Sequence, residues 1–226
     1  MKTEHPTNPH RVALPVYSVL LIWFFTSLVL SLQGWFETGP TRLPLPLGLS
    51  VGIPIVVAVA TYSLSGSFRA FAGSLDLRAL VAVNVFRIVG VDFLICYAQG
   101  RLPAGFAFPA GFGDILTGLA AIPLILTMSR TSSSASARKW FVAWNLFGLS
   151  DLIIAVASGI LHTGSKLGLL TGDGPTTLLM GQFPRALIPT FLVPLYMLLH
   201  LLALARRREV KSGAGSSDHP WRAAHA

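Results

Sequence analysis

The chain has 226 residues, 53% of them hydrophobic and only 12% charged, with a mean hydropathy of +0.65. Soluble domains carry about 25% charged residues, so this composition excludes an ordinary water-soluble enzyme and points to a polytopic membrane protein. The net charge of +8 would suggest nucleic acid in a soluble protein. Here the basic residues stand at the ends of apolar blocks, so topology explains them and no nucleic-acid partner is expected.

The first apolar run, Val12 to Leu32, is longer than the roughly 7–15 residues of a signal-peptide core, and SLQGWFETG after it has no small-x-small cleavage site. It reads as a retained first helix behind a short cytoplasmic tail, residues 1–11. Five further spans follow at roughly 43–64, 78–99, 111–129, 139–160 and 182–204. Each is close to the roughly 20 residues that cross a bilayer core. The expected fold is all-α: one transmembrane helical bundle over residues 12–205, then a basic tail, 206–226, read as disordered.

Basic residues set the orientation. With both termini cytoplasmic, twelve Lys and Arg fall on the inner side. Four (Arg42, Arg101, Lys166 and Arg185) fall on the outer side, and Arg87 lies within a span. This positive-inside bias predicts a multi-pass protein of a bacterial-type inner membrane, N-in and C-in. The second span contains Pro44, Pro46 and Pro54. The segment SGSFRAFAGSLDL after it either lies along the inner interface, with Phe68 and Phe71 beside Arg69, or is an ordinary connector.

Two outer connections stand out. Residues 100–113 read GRLPAGFAFPAGFG, and residues 161–181 read LHTGSKLGLLTGDGPTTLLMG. Apolar, Gly/Pro-rich backbone at membrane depth is tolerated only against protein or a water-filled cavity. Each stretch therefore folds over or re-enters the outer face, or else forms a loop at headgroup level.

The charges inside the spans carry the functional signal. Asp92 and Asp151 each stand eight residues before a glycine, and DFLICYAQG aligns with DLIIAVASG without a gap. A carboxylate in hydrocarbon costs roughly 2.5–3.5 kcal/mol on insertion scales. Both spans carry an asparagine earlier, Asn84 and Asn145, which suggests a parallel repeat of two helical hairpins. In span three, Arg87 and Asp92 are about 140° apart around a helix. Arg87 is therefore expected to reach Asp151 or Asp114 on a neighbour. Depth places Asp92 and Asp151 just outside the midplane and Asp114 and Arg185 at the outer end, with His162 just beyond. The expectation is one shared, outward-facing site built from Asp92, Asp151, Asp114 and Arg87, with Asn84, Asn145, Arg185 and His162 as secondary members. The structural alternative is a buried ion-pair network that only fixes helix packing.

Other features weigh less. Pro123, Pro189 and Pro194 each free a carbonyl four residues earlier, at Leu119, Arg185 and Thr190, as a polar ligand or as a packing kink. His200 reads as an inner-interface residue. GLSD at 148–151 lacks a histidine at matching depth to act as base. No Walker, HExxH or dinucleotide-binding glycine pattern is present, and neither a metal nor a cofactor is expected.

Three functions fit. The favoured one is a small proton- or cation-coupled transporter or permease, expected as a homo-oligomer, acting on a small solute or a lipid. The second is an intramembrane enzyme using carboxylic-acid catalysis on a lipid or isoprenoid. The third is a non-catalytic membrane subunit.

Overall fold

The computed structural model describes residues 10–39, 42–130 and 135–207. Nearly all of the cytoplasmic tails expected from the sequence, residues 1–9 and 208–226, fall outside them. Among the described residues there is helix and no strand. The helices are α1 (His10–Leu32), α2 (Leu45–Leu64), α3 (Gly66–Ser74), α4 (Leu77–Val83), α5 (Val91–Ala98), α6 (Ala104–Arg130), α7 (Ala135–Leu161) and α8 (Val193–Ala205). Two 3-10 segments, Asn84–Gly90 and Thr177–Gly181, and one π segment, Ile188–Leu192, complete them.

Among the described residues, six stretches are long and apolar enough to cross a membrane: Val12–Leu32, Leu45–Leu64, Leu77–Ala98, Ala104–Met128, Ser136–Leu161 and Ile188–Ala205. They match the six expected spans in number and order. Spans three to six form the packed core, whereas α2 buries no residue and α1 very little. We call the end covered by residues 162–187 the cap end, and the opposite end the tail end.

Span four differs from the sequence expectation. It begins at Ala104 rather than near 111, so most of the Gly/Pro/Phe-rich stretch 100–113 is helix and not a re-entrant loop. Only a tight turn precedes it, with Gly100 in the left-handed region at φ 68°, where a residue without a Cβ is favoured. The small residues that resemble loop signals are contact positions. Ala107 and Ala110 are buried beside Phe93, Cys96, Leu102, Phe106 and Met180 in a cluster at the cap end. At the tail end a second cluster gathers Val81, Ala121, Leu124, Phe141, Trp144 and Ala203.

The middle of span three is 3-10 helix. Its residues repeat every three, so Asn84, Arg87 and Gly90 line up on one face, and all three are buried. That face lies against α6. A Cβ at Gly118 would stand 3.0 Å from the Ile88 nitrogen and 3.1 Å from the Val85 carbonyl, and a Cβ at Gly90 would collide with Asp114. Span five, by contrast, is continuous helix, so the two candidate repeat units differ at this point.

Segment 162–187 folds back over the cap end. Thr177 N–H donates to the His162 carbonyl at 3.0 Å, Leu170 N–H to Leu161 at 2.9 Å, and Thr177 Oγ1 to Gly159 at 2.6 Å. At the tail end, α3 joins spans two and three. Ser65 caps it by accepting from Phe68 N–H, and Asp76 caps α4 by accepting from Arg78 N–H. The carbonyl of Thr190, freed by Pro194, accepts from Trp23 Nε1 at 3.1 Å and Ser27 Oγ at 3.5 Å. That pair of bonds ties the peripheral α1 to the core.

Gly118→Leu should destabilise the bundle by about 1–3 kcal/mol, the usual range for overpacking. Gly52 has nothing within 4 Å of a would-be Cβ, and Gly52→Leu should leave stability unchanged. Thermal unfolding of both variants in detergent, followed by loss of monodisperse protein, compares them directly.

Candidate functional site

Four of the core spans contribute a residue at matching distance from the cap end. Asp114 stands ten residues after Ala104, Asp151 ten before Leu161, Arg87 eleven before Ala98, and His200 twelve after Ile188. At 1.5 Å per residue these are roughly 15–18 Å from the helix ends. Starting span four at Ala104 is what brings Asp114 down from the outermost turn to this level. The four side chains meet there.

Arg87 is the hub. Its side chain has no exposed surface. Nε donates to Asp114 Oδ1 at 2.7 Å, Nη2 to Asp151 Oδ2, and Nη1 to the Gly148 carbonyl at 3.2 Å. Nη1 also lies 3.2 Å from His200 Nε2. A guanidinium can only donate, so His200 Nε2 accepts and its proton sits on Nδ1. Nδ1 then donates to Asn145 Oδ1, 3.0 Å away, and Asn145 Nδ2 donates to the Phe141 carbonyl at 2.8 Å. Every link in the chain Arg87–His200–Asn145–Phe141 has a consistent donor and acceptor. Tyr196 lies under the guanidinium, its ring centroid 5.7 Å from Cζ, within range of a cation–π contact.

Glycines make this layer possible. A Cβ on Gly148 would strike the His200 ring, and one on Gly113 would overlap the Asp151 carboxylate. Two carboxylates on one guanidinium leave one surplus negative charge when both are ionised. Asp151 is 6% exposed and Asp114 17%, so that surplus is held away from water. On the tail side, Asn84 Nδ2 donates to Leu80 at 2.9 Å. The buried oxygens Asn84 Oδ1 and Thr117 Oγ1 make no hydrogen bond to protein. They lie three residues from Arg87 and Asp114 along their own helices. Unused polar capacity in a buried layer is uncommon and marks a place where polarity is retained for a reason.

The expected single site divides in two. Asp92 does not join Asp151. It forms a bidentate pair with Arg185, Nε to Oδ2 at 2.7 Å and Nη2 to Oδ1 at 2.9 Å. This pair lies nearer the cap end and is more exposed, 19% on Arg185 and 33% on Asp92. The hydrogen bond from Arg185, which lies outside the spans, raises its pKa above the ordinary arginine value. The alignment of Asp92 with Asp151 in sequence suggests a similar level, but Asp92 stands six residues from the cap-end terminus of its span and Asp151 ten from its own, so Asp92 meets Arg185 instead. His162 is also separate. Its Nδ1 lies 2.9 Å from the Ser158 carbonyl and its ring packs over Gly105 at the cap end.

His200 overturns its reading as an interface residue: it is wholly buried and bonded to the hub. Helices that end at different levels make a count from the tail end misleading. The glycine at 148, one turn before Asp151, was the available signal. His200 also places a histidine near the level of the GLSD motif, but Ser150 is exposed while Asp151 beside it is buried, so no nucleophile–base pair forms.

A cavity of ≈ 280 Å³ adjoins the ion cluster at Asp114. Phe93, Phe106, Leu152, Ala155 and Met180 are among its apolar walls, and α2 closes one side through Leu45, Gly48 and Val51. Residues 44–208 match the family described as a domain of unknown function, DUF8737. The chain belongs to this family. The matched stretch holds spans two to six, the cavity-lining part of α2 and both ion-pair layers, and leaves α1 outside. No curated protein and no solved structure matches the chain.

Removing the hub strands two buried carboxylates. Arg87→Leu should cost about 3–5 kcal/mol, the range for breaking a buried ion pair by removing one partner. Asp92→Asn, at the more exposed pair, should cost about 1 kcal/mol or less. Unfolding of the two variants in dodecylmaltoside micelles, monitored by circular dichroism, should rank them in that order.

Proposed function

We propose that the protein is a small proton- or cation-coupled membrane carrier, and that the Arg87–Asp114–Asp151 layer is its coupling site. The observation that carries this reading is the imbalance of one guanidinium against two buried carboxylates. An isolated surplus charge in a low-dielectric layer is costly. A proton or monovalent cation arriving at either carboxylate cancels it, and its departure restores it. Arg87 then alternates between sharing two carboxylates and serving one. A buried cluster that changes charge by one unit as an ion comes and goes is what coupling requires.

The neighbouring groups suit that role. His200 and Asn145 hold Arg87 from the tail side. Asn84 Oδ1 and Thr117 Oγ1 offer unused acceptors there, on the path an ion would take toward the tail end. The Asp92–Arg185 pair closes the cap end and acts as a gate rather than as a coupling element. In this reading the protein lies in a bacterial-type inner membrane, N-in and C-in. Six spans are few for a solitary alternating-access machine, so a homo-oligomer is the expected working form.

A second reading has its own observation: Asp114 forms part of the wall of an otherwise apolar cavity. A carboxylic acid there could protonate an unsaturated lipid or isoprenoid. Incubation of the purified protein with such lipids, followed by mass spectrometry, should return them unchanged if the carrier reading holds.

The carrier reading is tested by proteoliposomes on a solid-supported membrane, screened with a panel of small solutes and amphiphiles for charge movement. At least one compound should evoke a pH-dependent current in the wild type. Asp114→Asn and Asp151→Asn, each leaving Arg87 with one carboxylate, should insert normally and lose the current by tenfold or more, about 1.4 kcal/mol or greater in coupling. Asp92→Asn should retain most of it. Undiminished current in both Asp114→Asn and Asp151→Asn would rule the coupling site out.

A further inference from the structure

We propose that the cavity beside Asp114 is a binding site for an apolar molecule carrying a single positive charge, such as an alkylammonium amphiphile. This rests on the carrier reading and names the class of its cargo. Three observations lead there. Among the described residues Asp114 is the only charged one lining the cavity, and its other walls are overwhelmingly apolar. Asp114 shares its guanidinium with Asp151, so the cluster has negative charge to spare and a cation at Asp114 neutralises it. Arg87 does not line this cavity, and its donors are directed at Asp114, Asp151, Gly148 and His200. An anionic head would therefore meet a carboxylate and find no cationic donor in the cavity wall.

Size and access fit the same occupant. A volume of ≈ 280 Å³ lies at the small end of ligand sites, which are typically about 300–1,000 Å³, so the ligand is a short chain or small ring system. The polar residues Thr38, Thr163 and Thr177 line the cavity near segment 162–187. The α2 wall stands at the edge of the bundle, with none of its residues fully buried. A ligand dissolved in the bilayer can therefore arrive past α2, its body held by Phe93, Phe106 and Leu152 and its head directed to Asp114. Neighbouring charged and titratable groups are Asp114, Arg87, Asp151, His200 and Tyr196. Of these Asp114 faces the ligand, and a cation there competes with the ion that the cluster otherwise takes up.

The test uses the full chain in nanodiscs, titrated calorimetrically with octylammonium, octanol and octanoate after subtraction of empty nanodiscs. Proton release is recorded in weak buffer in parallel. Octylammonium should saturate at one per chain and bind at least about tenfold more tightly than octanol, as expected for a charge partner in a low-dielectric site, while octanoate should not saturate. Asp114→Asn should weaken octylammonium by tenfold or more. Ala155→Phe fills the cavity while leaving every residue of the ion cluster in place and should do the same. Equal binding of octylammonium and octanol would overturn the cationic class. No saturable binding, or full binding by Ala155→Phe, would overturn the site. Saturable, Asp114-dependent binding without proton release would support the cavity site and count against the coupling reading.

Discussion

Arg87 between Asp114 and Asp151 is the interaction on which the rest of this bundle depends. Three charges in a layer roughly 15 Å from the cap-end helix termini are tolerable only if each meets another at hydrogen-bond distance. That requirement fixes the neighbours. Span three must present Arg87 toward α6 and α7, and its 3-10 segment aligns Asn84, Arg87 and Gly90 on that face. The close approach of span three to α6 requires Gly90 and Gly118. The carboxylate and the imidazole need space, so Gly113 and Gly148 have no side chain.

The apolar parts of the molecule serve this layer by closing it at both ends. The cap-end cluster around Phe93 and Phe106 and the tail-end cluster around Phe141 and Trp144 exclude water from the charges between them. In a membrane there is little hydrophobic drive between helices, so small residues and polar links supply the specificity of packing. The link from Trp23 to the freed Thr190 carbonyl shows the same economy at the periphery. A proline that could have supplied a cation ligand supplies a docking point for α1.

The two ion-pair layers have different chemistry. Arg185 and Asp92 match one for one, with bidentate geometry and partial exposure. That arrangement is already neutral and has no need of a further ion. The Arg87 layer sets two carboxylates against one guanidinium and adjoins an apolar cavity. An unmatched charge is an incomplete interaction, and for that reason the carrier reading and the proposed cargo both centre on Asp114 and not on Asp92.

The sequence by itself determined the helical class, the number and order of the spans, and the prominence of Arg87, Asp92, Asp114 and Asp151 as charges within or beside them. These follow from run length, hydropathy and the cost of charge in hydrocarbon, all of which are local. The pairing of Arg87 across to a neighbouring helix was also legible, because 140° around one helix separates it from Asp92. Tertiary structure alone decided which carboxylates share it. That choice depends on helix rotation and on where each span starts: α6 begins at Ala104, so Asp114 descends to the level of Arg87, whereas Asp92 turns to Arg185. His200 was hidden for the same reason, since its level is set by how α8 stands against α7 at Gly148. The two aspartates that look equivalent in sequence therefore take different partners, because both level and facing depend on where the neighbouring helices start and how they turn.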